Sequence, residues 1–170
     1  MKAGLSTRWV ALCGLLLALM LTLGYVESLL PSPAALPGVK LGLSNGVLIF
    51  AVYLLDIPTA FGLMALKVVL SGLLFAGVGA MPYAAAGGAL SLAAMACLSR
   101  VRGLHPVAVS MAGGALHNVG QVAAAMLVLH TAGLTYYLAV LMAIGLCSGV
   151  VTGLAAVGVM KRLKGWHLKD

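Results

Sequence analysis

Long apolar segments, separated by short polar or proline-containing connections, make up almost the whole chain. A helix that spans a membrane needs about 20 residues, or roughly 30 Å at 1.5 Å per residue. The pattern therefore predicts an all-α membrane protein, a bundle of six transmembrane helices that forms one integral membrane domain over residues 1–170. The predicted helices cover residues 8–30, 39–55, 58–78, 80–98, 106–130 and 135–160.

The basic residues predict the orientation of this bundle. Lysines and arginines accumulate on the cytoplasmic side of membrane proteins. Here they precede the first helix, fill the connection between the fourth and fifth, and follow the sixth; they are Lys2, Arg8, Arg100, Arg102, Lys161, Arg162, Lys164 and Lys169. An even number of helices places all three regions on one side. We therefore expect both termini to be cytoplasmic, in a multi-pass protein of the cytoplasmic membrane.

Composition agrees with the membrane assignment and excludes other classes. The chain is 63% hydrophobic and 8% charged, with a net charge of +7. A soluble domain of this size could not hide so much apolar surface. Since the basic residues flank apolar segments, topology accounts for the charge and no nucleic-acid partner is predicted. The first apolar segment, residues 9–23, is long for a secretory signal, and we expect it to be a retained helix.

A few polar residues are predicted to lie at membrane depth. Lys67 stands within the apolar run IPTAFGLMALKVVLSGLLFAG, where a charge costs about 2.5 to 3.5 kcal/mol on insertion scales. Helix rise places Lys67 and His117 near the midplane and the other members of the set in the outer half. The full set is Glu27, Lys40, Asn45, Lys67, His117, Asn118 and Gln121.

Each of these residues also has a purely structural explanation. Lys40 could extend to the outer lipid headgroups, and Glu27 could pair with a lysine. Asn118 and Gln121 could join helices by hydrogen bonds, and His117 could be a satisfied core histidine. Taken together, however, the set predicts a substrate-binding pocket open to the outside. We expect a small polar ligand with an anionic group, contacted by Lys67 and Lys40.

The sequence carries no signature of catalysis. It has no GxxxxGK[ST] motif for ATP phosphates, and its acids, Glu27, Asp56 and Asp170, fall at different levels. Clustered acids that could hold a metal and a diphosphate are missing from the sequence. Cys13, Cys97 and Cys147 are isolated, without metal-ligand spacing. We therefore predict no catalytic residue, metal or cofactor, and a protein that is not itself an enzyme.

Small residues indicate where helices approach each other or a partner. Gly145, Gly149 and Gly153 form a GxxxGxxxG stripe on the sixth helix, which predicts close packing within the bundle. Gly14 and Ala18 form a similar pair on the first helix, which could pack internally or dock a partner protein. The proline-rich connection PSPAALPG, residues 31–38, predicts either a rigid turn or a lid over the outer pocket.

Three stretches resemble a known family: YVESLLPSPAALPGVKLGLSN (25–45), LKVVLSGLLFAG (66–77) and SMAGGALHNVGQ (110–121). They are similar to the heptaprenyl diphosphate synthase component I family, also called the Gx transporter family. That family is similar to the S components of energy-coupling factor (ECF) transporters. The resemblance implies a six-helix protein that captures a nutrient from outside, beneath the loop between its first two helices.

The resemblance also implies partners. An S component associates with a membrane T component and two cytoplasmic ATPases, and ATP-driven toppling delivers the ligand inward. S components often dock through an AxxxA motif on the first helix. Here Gly14 and Ala18 stand in its place, and Ala11 is followed four residues later by Leu15. Two alternatives are a non-catalytic membrane subunit of prenyl diphosphate synthesis and a membrane subunit of a redox complex. For the second, the sequence has no haem or flavin attachment signal.

Overall fold

The computed structural model describes residues 6–29 and 42–162, and this part of the chain contains helices and no strand. Within it, five helical segments are long and apolar enough to cross a membrane. Two short helices lie between the first and the second of them. The helices are α1 (Thr7–Leu29), α2 (Leu43–Gly46), α3 (Leu48–Leu54), α4 (Ile57–Ser71), α5 (Met81–Leu98), α6 (Pro106–Leu129) and α7 (Thr135–Arg162). The all-α membrane fold is thereby confirmed.

The second predicted helix differs from the observed structure. Sequence analysis predicts one helix over residues 39–55, whereas the structure has α2 with 4 residues and α3 with 7. Gly42, which precedes α2, has a left-handed backbone with φ of 85°. Leu55 then leaves the helical conformation directly after α3. The helical segment therefore begins only after Gly42, because of backbone geometry that hydrophobicity does not encode, whereas its end at Leu55 agrees with the prediction.

The fourth helix continues beyond its α-helical part. After Ser71 the chain forms a π-helix over Gly72–Ala76, and a 3₁₀ turn over Val78–Ala80 leads into α5. A π-helix places an extra residue in each turn and is often found at functional sites. Gly77 joins the two segments with φ of 83°, a conformation that favours glycine. The predicted boundary between residues 78 and 80 thus coincides with a real break in the helix.

Asp56 determines where α4 begins. Its Oδ1 accepts a hydrogen bond from the Thr59 backbone N–H at 2.8 Å, and its Oδ2 accepts one from Thr59 Oγ1 at 3.0 Å. Pro58 in the first turn has no N–H that would need a partner. Asp56 is therefore an N-cap residue that fixes the direction in which α4 leaves the α3–α4 turn.

We expect Asp56→Ala to destabilise the protein by about 1 kcal/mol, because two hydrogen bonds at the start of α4 are lost. Unfolding by titration with a denaturing detergent, followed by circular dichroism, measures this difference. Asp56→Asn is the matched control, since asparagine caps a helix about as well as aspartate. Equal destabilisation by both substitutions would show that the charge, and not the cap, is what matters.

Helix α6 lies at the centre of the most tightly packed part of the bundle, between α5 and α7. The glycine stripe Gly145, Gly149 and Gly153 is buried against α6, as the sequence predicts. A Cβ placed on Gly145 would lie 2.4 Å from the carbonyl oxygen of Gly114. Close backbone approach of this kind stabilises helix pairs in lipid, where apolar side chains gain nothing by leaving the lipid tails.

Helices α4 to α7 run in alternating directions, and α1 runs parallel to α4, since Tyr25 near the end of α1 contacts Phe75 just after α4. This arrangement defines two faces of the bundle. The start of α1, the α5–α6 connection (residues 99–105) and the end of α7 lie on one of them. We call this the basic face, because it carries Arg8, Arg100, Arg102, Lys161 and Arg162. The other end is called the opposite face. That the basic face is cytoplasmic stays a prediction from the charge distribution.

Helix α1 presents its small-residue pair outward. Gly14 and Ala18 are both exposed, and no atom from outside the local helix lies within 4 Å of a Cβ built on Gly14. Leu15 and Leu19 beside them are 66% and 42% exposed. The pair therefore makes no close contact with the described part of the bundle, and its predicted use in internal packing or in docking a partner stays a prediction.

Candidate functional site

Lys67 is buried in the middle of α4, with 6% of its surface exposed. Its Nζ donates a hydrogen bond to Asn45 Oδ1 at 3.0 Å, which joins α4 to the short helix α2. Asn45 lies in the first turn after Gly42, and this position brings its side chain beside Lys67. The lysine is thus held in a polar environment inside the bundle.

The hydrogen bonding continues from Asn45 to α6. Asn45 Nδ2 contacts His117 Nδ1, and His117 Nε2 lies 2.8 Å from the side-chain amide of Gln121. His117 and Gln121 are one helical turn apart and are 2% and 1% exposed. Four polar side chains from three helices, Lys67, Asn45, His117 and Gln121, therefore form one chain of contacts. We call this set the polar layer.

The contacts define the hydrogen-bonding roles within the polar layer. Asn45 Oδ1 accepts from Lys67, so the amide nitrogen of Asn45 must donate to His117 Nδ1. Nδ1 is then an acceptor, and the imidazole proton resides on Nε2. Because the oxygen and nitrogen of an amide exchange places on rotation, Gln121 can accept that proton through its oxygen. The polar layer is therefore directional, from the ammonium of Lys67 to the amide of Gln121.

Glu27 joins the same region from α1. It is 4% exposed, and its Oε1 accepts hydrogen bonds from the backbone N–H groups of Gly42 and Leu43, the second at 3.3 Å. These groups are at the start of α2, where helical N–H groups lack partners within the helix. The carboxylate thus ties the end of α1 to the segment that carries Asn45.

A cavity lies directly beside these side chains, toward the opposite face. Its empty volume is about 430 Å³, including its mouth. One wall is polar and includes Glu27, Ser44, Lys67, His117 and Gln121. The other wall is mostly apolar and comes from the end of α4, the π-helix and the start of α5: Val68, Gly72, Phe75, Ala76, Ala80, Met81 and Ala84. We call this cavity the outer pocket.

The π-helix shapes the apolar wall. It turns Phe75 toward α1, where the Phe75 and Tyr25 rings meet edge to face with centroids 5.6 Å apart. Gly72 leaves room for Met81, since a Cβ there would lie 2.3 Å from the end of the methionine side chain. An aromatic ring and a flexible thioether thus lie opposite the charged and amide groups. The outer pocket suits a small ligand that has a polar end and an apolar end.

Comparison with protein families gives an assignment for this architecture. The family model described as heptaprenyl diphosphate synthase component I matches residues 16–159, which include every predicted site residue except Gly14. The chain belongs to the heptaprenyl diphosphate synthase component I family. No curated protein and no solved structure gives a significant match. The family resemblance seen in the sequence motifs is therefore confirmed, and the similarity to ECF S components stays a prediction.

In this component I protein, the predicted site residues divide into three groups. Glu27, Lys67, His117 and Gln121 line the outer pocket, and Asn45 contacts two of them. Asn118 points elsewhere: its side-chain nitrogen donates to the Leu141 carbonyl on α7, so it joins two helices. Lys40 and the proline-rich segment 31–38 lie outside the described residues, so their predicted roles as ligand contact and lid stay predictions.

Sequence reasoning missed the apolar wall of the component I pocket. Phe75 and Met81 lie in apolar segments whose sequence is typical of an ordinary membrane helix, and amino-acid composition does not predict a π-helix. Gly72 and Gly77 at the ends of the π-helix were the one indication in the sequence of an irregular helix here, since glycine permits both close contact and positive φ. Among the described residues, no group of three histidine, cysteine or acidic side chains could hold a metal ion.

Proposed function

We propose that this component I protein is the substrate-binding S component of an ECF-type uptake transporter. It would capture a small polar, anionic nutrient or cofactor precursor in the outer pocket. The observation that carries the proposal is the convergence of buried polar groups from α1, α2, α4 and α6 around one cavity. A bundle that needed only stability would avoid the cost of placing Lys67 and Glu27 at this depth.

The charges around the outer pocket favour an anionic group on the ligand. The Glu27 oxygen that accepts from Gly42 and Leu43 is occupied by helix N–H groups, so this acid serves the protein framework. The ammonium of Lys67 lines the pocket itself. In a site of low dielectric, a ligand carboxylate or phosphate near this ammonium gains more than it would in water. His117 and Gln121 would orient the rest of the polar end.

The partners follow from the same proposal. Uptake would need a membrane T component and two cytoplasmic ATPases, because this chain has no nucleotide-binding motif of its own. The exposed small-residue pair Gly14 and Ala18 on α1 would be the docking surface, where another helix can approach closely. The protein would reside in the cytoplasmic membrane, in contact with lipid and with the basic face toward the cytoplasm.

A second candidate function rests on the family description. The name implies a non-catalytic membrane subunit that associates with a heptaprenyl diphosphate synthase. The apolar wall at Phe75 and Met81 is compatible with part of a prenyl chain, and Lys67 with a diphosphate. Under this reading, the partner is a soluble prenyl transferase and the bound molecule is a lipid precursor.

Affinity purification from native membranes in a mild detergent separates the two functions. We expect a membrane T component and two ATPases to co-purify, together with a small water-soluble metabolite identified by mass spectrometry. Gly14→Leu should reduce the recovery of these partners, because the bulky side chain prevents close helix approach. Gly158→Leu, at an exposed glycine of α7 with no neighbour within 4 Å, is the matched control. Recovery of a prenyl transferase with a prenyl diphosphate instead would contradict the transport proposal.

A further inference from the structure

A second cavity lies between α2, α5, α6 and α7. Its empty volume is about 210 Å³, including the open space at its mouth, and none of the residues that line it is charged. Its wall consists of hydroxyl side chains, one amide, one methionine and several glycines: Gly42, Asn45, Gly46, Ser91, Met95, Ser110, Gly113, Gly114, Ser148, Gly149 and Thr152. We call it the inner cavity, and it is distinct from the outer pocket in every residue of its lining.

The two cavities lie in opposite halves of the bundle. The outer pocket is lined by the later part of α1 and the beginning of α5, which are near the opposite face. The inner cavity is lined by the later part of α5 and the beginning of α6, on either side of residues 99–105 at the basic face. Asn45 lines the inner cavity while it bonds Lys67 and His117 of the outer pocket. The Asn45–His117 contact therefore forms the partition between the cavities.

Hydroxyl groups make the inner cavity polar, and its glycines bring the surrounding helices close together. At Gly113 the missing side chain makes room for Met95, since a Cβ there would lie 2.7 Å from Met95 Sδ and 3.3 Å from Ser91 Oγ. Ser110 Oγ and Thr152 Oγ1 are 3.0 Å apart and connect α6 to α7. Ser148 and Thr152 also bond backbone carbonyls of α7. Four hydroxyl groups from three helices thus surround a space in the interior of an apolar protein.

Ser91 is the side chain whose situation indicates a ligand. It is 1% exposed, it lines the inner cavity, and its hydroxyl makes no hydrogen bond to any described residue. Leaving a buried hydroxyl without a partner costs roughly 1 to 3 kcal/mol. A serine in a helix usually avoids this cost by bonding the carbonyl one turn earlier. A hydroxyl directed into a polar cavity is instead satisfied by what occupies the cavity.

We propose that the inner cavity is a second, hydrated site, which takes water and small uncharged polar molecules and opens toward the basic face. Its lining offers hydroxyl and amide groups and no charged side chain, so it favours neutral polar occupants over ions. The Lys67 ammonium just beyond Asn45 further disfavours a cation. This proposal does not depend on which molecule the outer pocket binds.

Thiol accessibility tests the proposal with an uncharged polar reagent, 2-hydroxyethyl methanethiosulfonate. A cysteine thiolate attacks the reagent's sulfenyl sulfur, forms a mixed disulfide and releases methanesulfinate. Thiolates form far less readily in apolar surroundings, and one unit of thiol pKa changes the thiolate fraction about tenfold. We expect Ser91→Cys and Ser148→Cys to react at least about tenfold faster than cysteines that face lipid, as measured by intact-protein mass spectrometry in vesicles.

The chain supplies its own matched controls. Cys147 precedes Ser148 on α7 and is exposed toward lipid. A variant with its single thiol at Cys147 therefore differs from Ser148→Cys mainly in the surroundings of the thiol. Leu90→Cys, 39% exposed, serves in the same way for Ser91 on α5. Each variant carries a single cysteine, with the remaining native cysteines replaced by alanine, and full labelling in denaturing detergent confirms the thiol. If Ser91→Cys or Ser148→Cys reacts no faster than its control, the proposal is wrong.

Discussion

Lys67→Met is expected to abolish retention of the small molecule that co-purifies with the protein. The substitution removes the ammonium that lines the outer pocket and keeps a side chain of similar length. Truncating one partner of a buried, hydrogen-bonded charge pair costs about 2 to 5 kcal/mol of binding free energy. Since 1.4 kcal/mol is a factor of ten, affinity should fall by roughly 30-fold or more. Quantitative mass spectrometry of the ligand per mole of purified protein measures the loss.

The fold should survive this substitution. Loss of the Lys67 hydrogen bond leaves the buried Asn45 Oδ1 without its donor, at a cost of about 1 to 3 kcal/mol. Removing the desolvation cost of the ammonium offsets part of this loss. The melting temperature in detergent is therefore expected to fall, while the protein still unfolds in a cooperative transition. Lys161→Met, at the exposed end of α7, is the matched control for loss of one positive charge and should keep its ligand. If Lys67→Met retains as much ligand as Lys161→Met, Lys67 has no part in binding.

The second large effect is expected for stability, at Gly145→Ala. The added Cβ would lie 2.4 Å from the Gly114 carbonyl oxygen and 2.7 Å from its carbon. Both atoms belong to the backbone of α6, so helices α6 and α7 must separate to relieve the contact. Overpacking of this kind costs about 1 to 3 kcal/mol, occasionally more. Detergent-induced unfolding, followed by circular dichroism, measures the difference from the wild-type protein.

Gly158→Ala is the control on the same helix. Nothing lies within 4 Å of a Cβ at Gly158, so the substitution meets no neighbour. Alanine has a higher helix propensity than glycine by about 1 kcal/mol, and a neutral or slightly stabilising effect is expected. Comparable destabilisation by Gly145→Ala and Gly158→Ala would show that the contact between Gly145 and α6 contributes nothing specific to stability.

The sequence predicted the helical framework well because membrane-spanning segments follow directly from apolar length. Five long helices begin and end near their predicted bounds. The helix predicted over residues 39–55 was wrong at its start, because Gly42 has a left-handed backbone that its neutral composition does not reveal, and its end at Leu55 was predicted correctly. Likewise, the π-helix at Gly72–Ala76 depends on local packing against Met81 and Tyr25, which lie elsewhere in the sequence.

The candidate site was predictable where burial of a polar group is costly. Lys67, Glu27, His117 and Gln121 stand out against apolar neighbours, and the structure brings all four to one cavity. Which of these side chains face the cavity was harder to predict, because adjacent residues of a helix point about 100° apart. Asn118 follows His117 in the chain and yet bonds α7. Serines such as Ser91 were not predicted as site residues, since hydroxyl side chains are common in membrane helices and their burial costs little free energy.

The brevity of α2 and α3 determines how this protein responds to its bilayer. The segment 43–54 covers about 18 Å at 1.5 Å per residue, well below the roughly 30 Å of a hydrocarbon core. Every residue in it is buried or half-buried, so lipid tails do not reach it. A thicker or thinner membrane changes the tilt of the long outer helices by hydrophobic mismatch. We expect the segment that holds Asn45 to be less affected by that adjustment than the long helices around it.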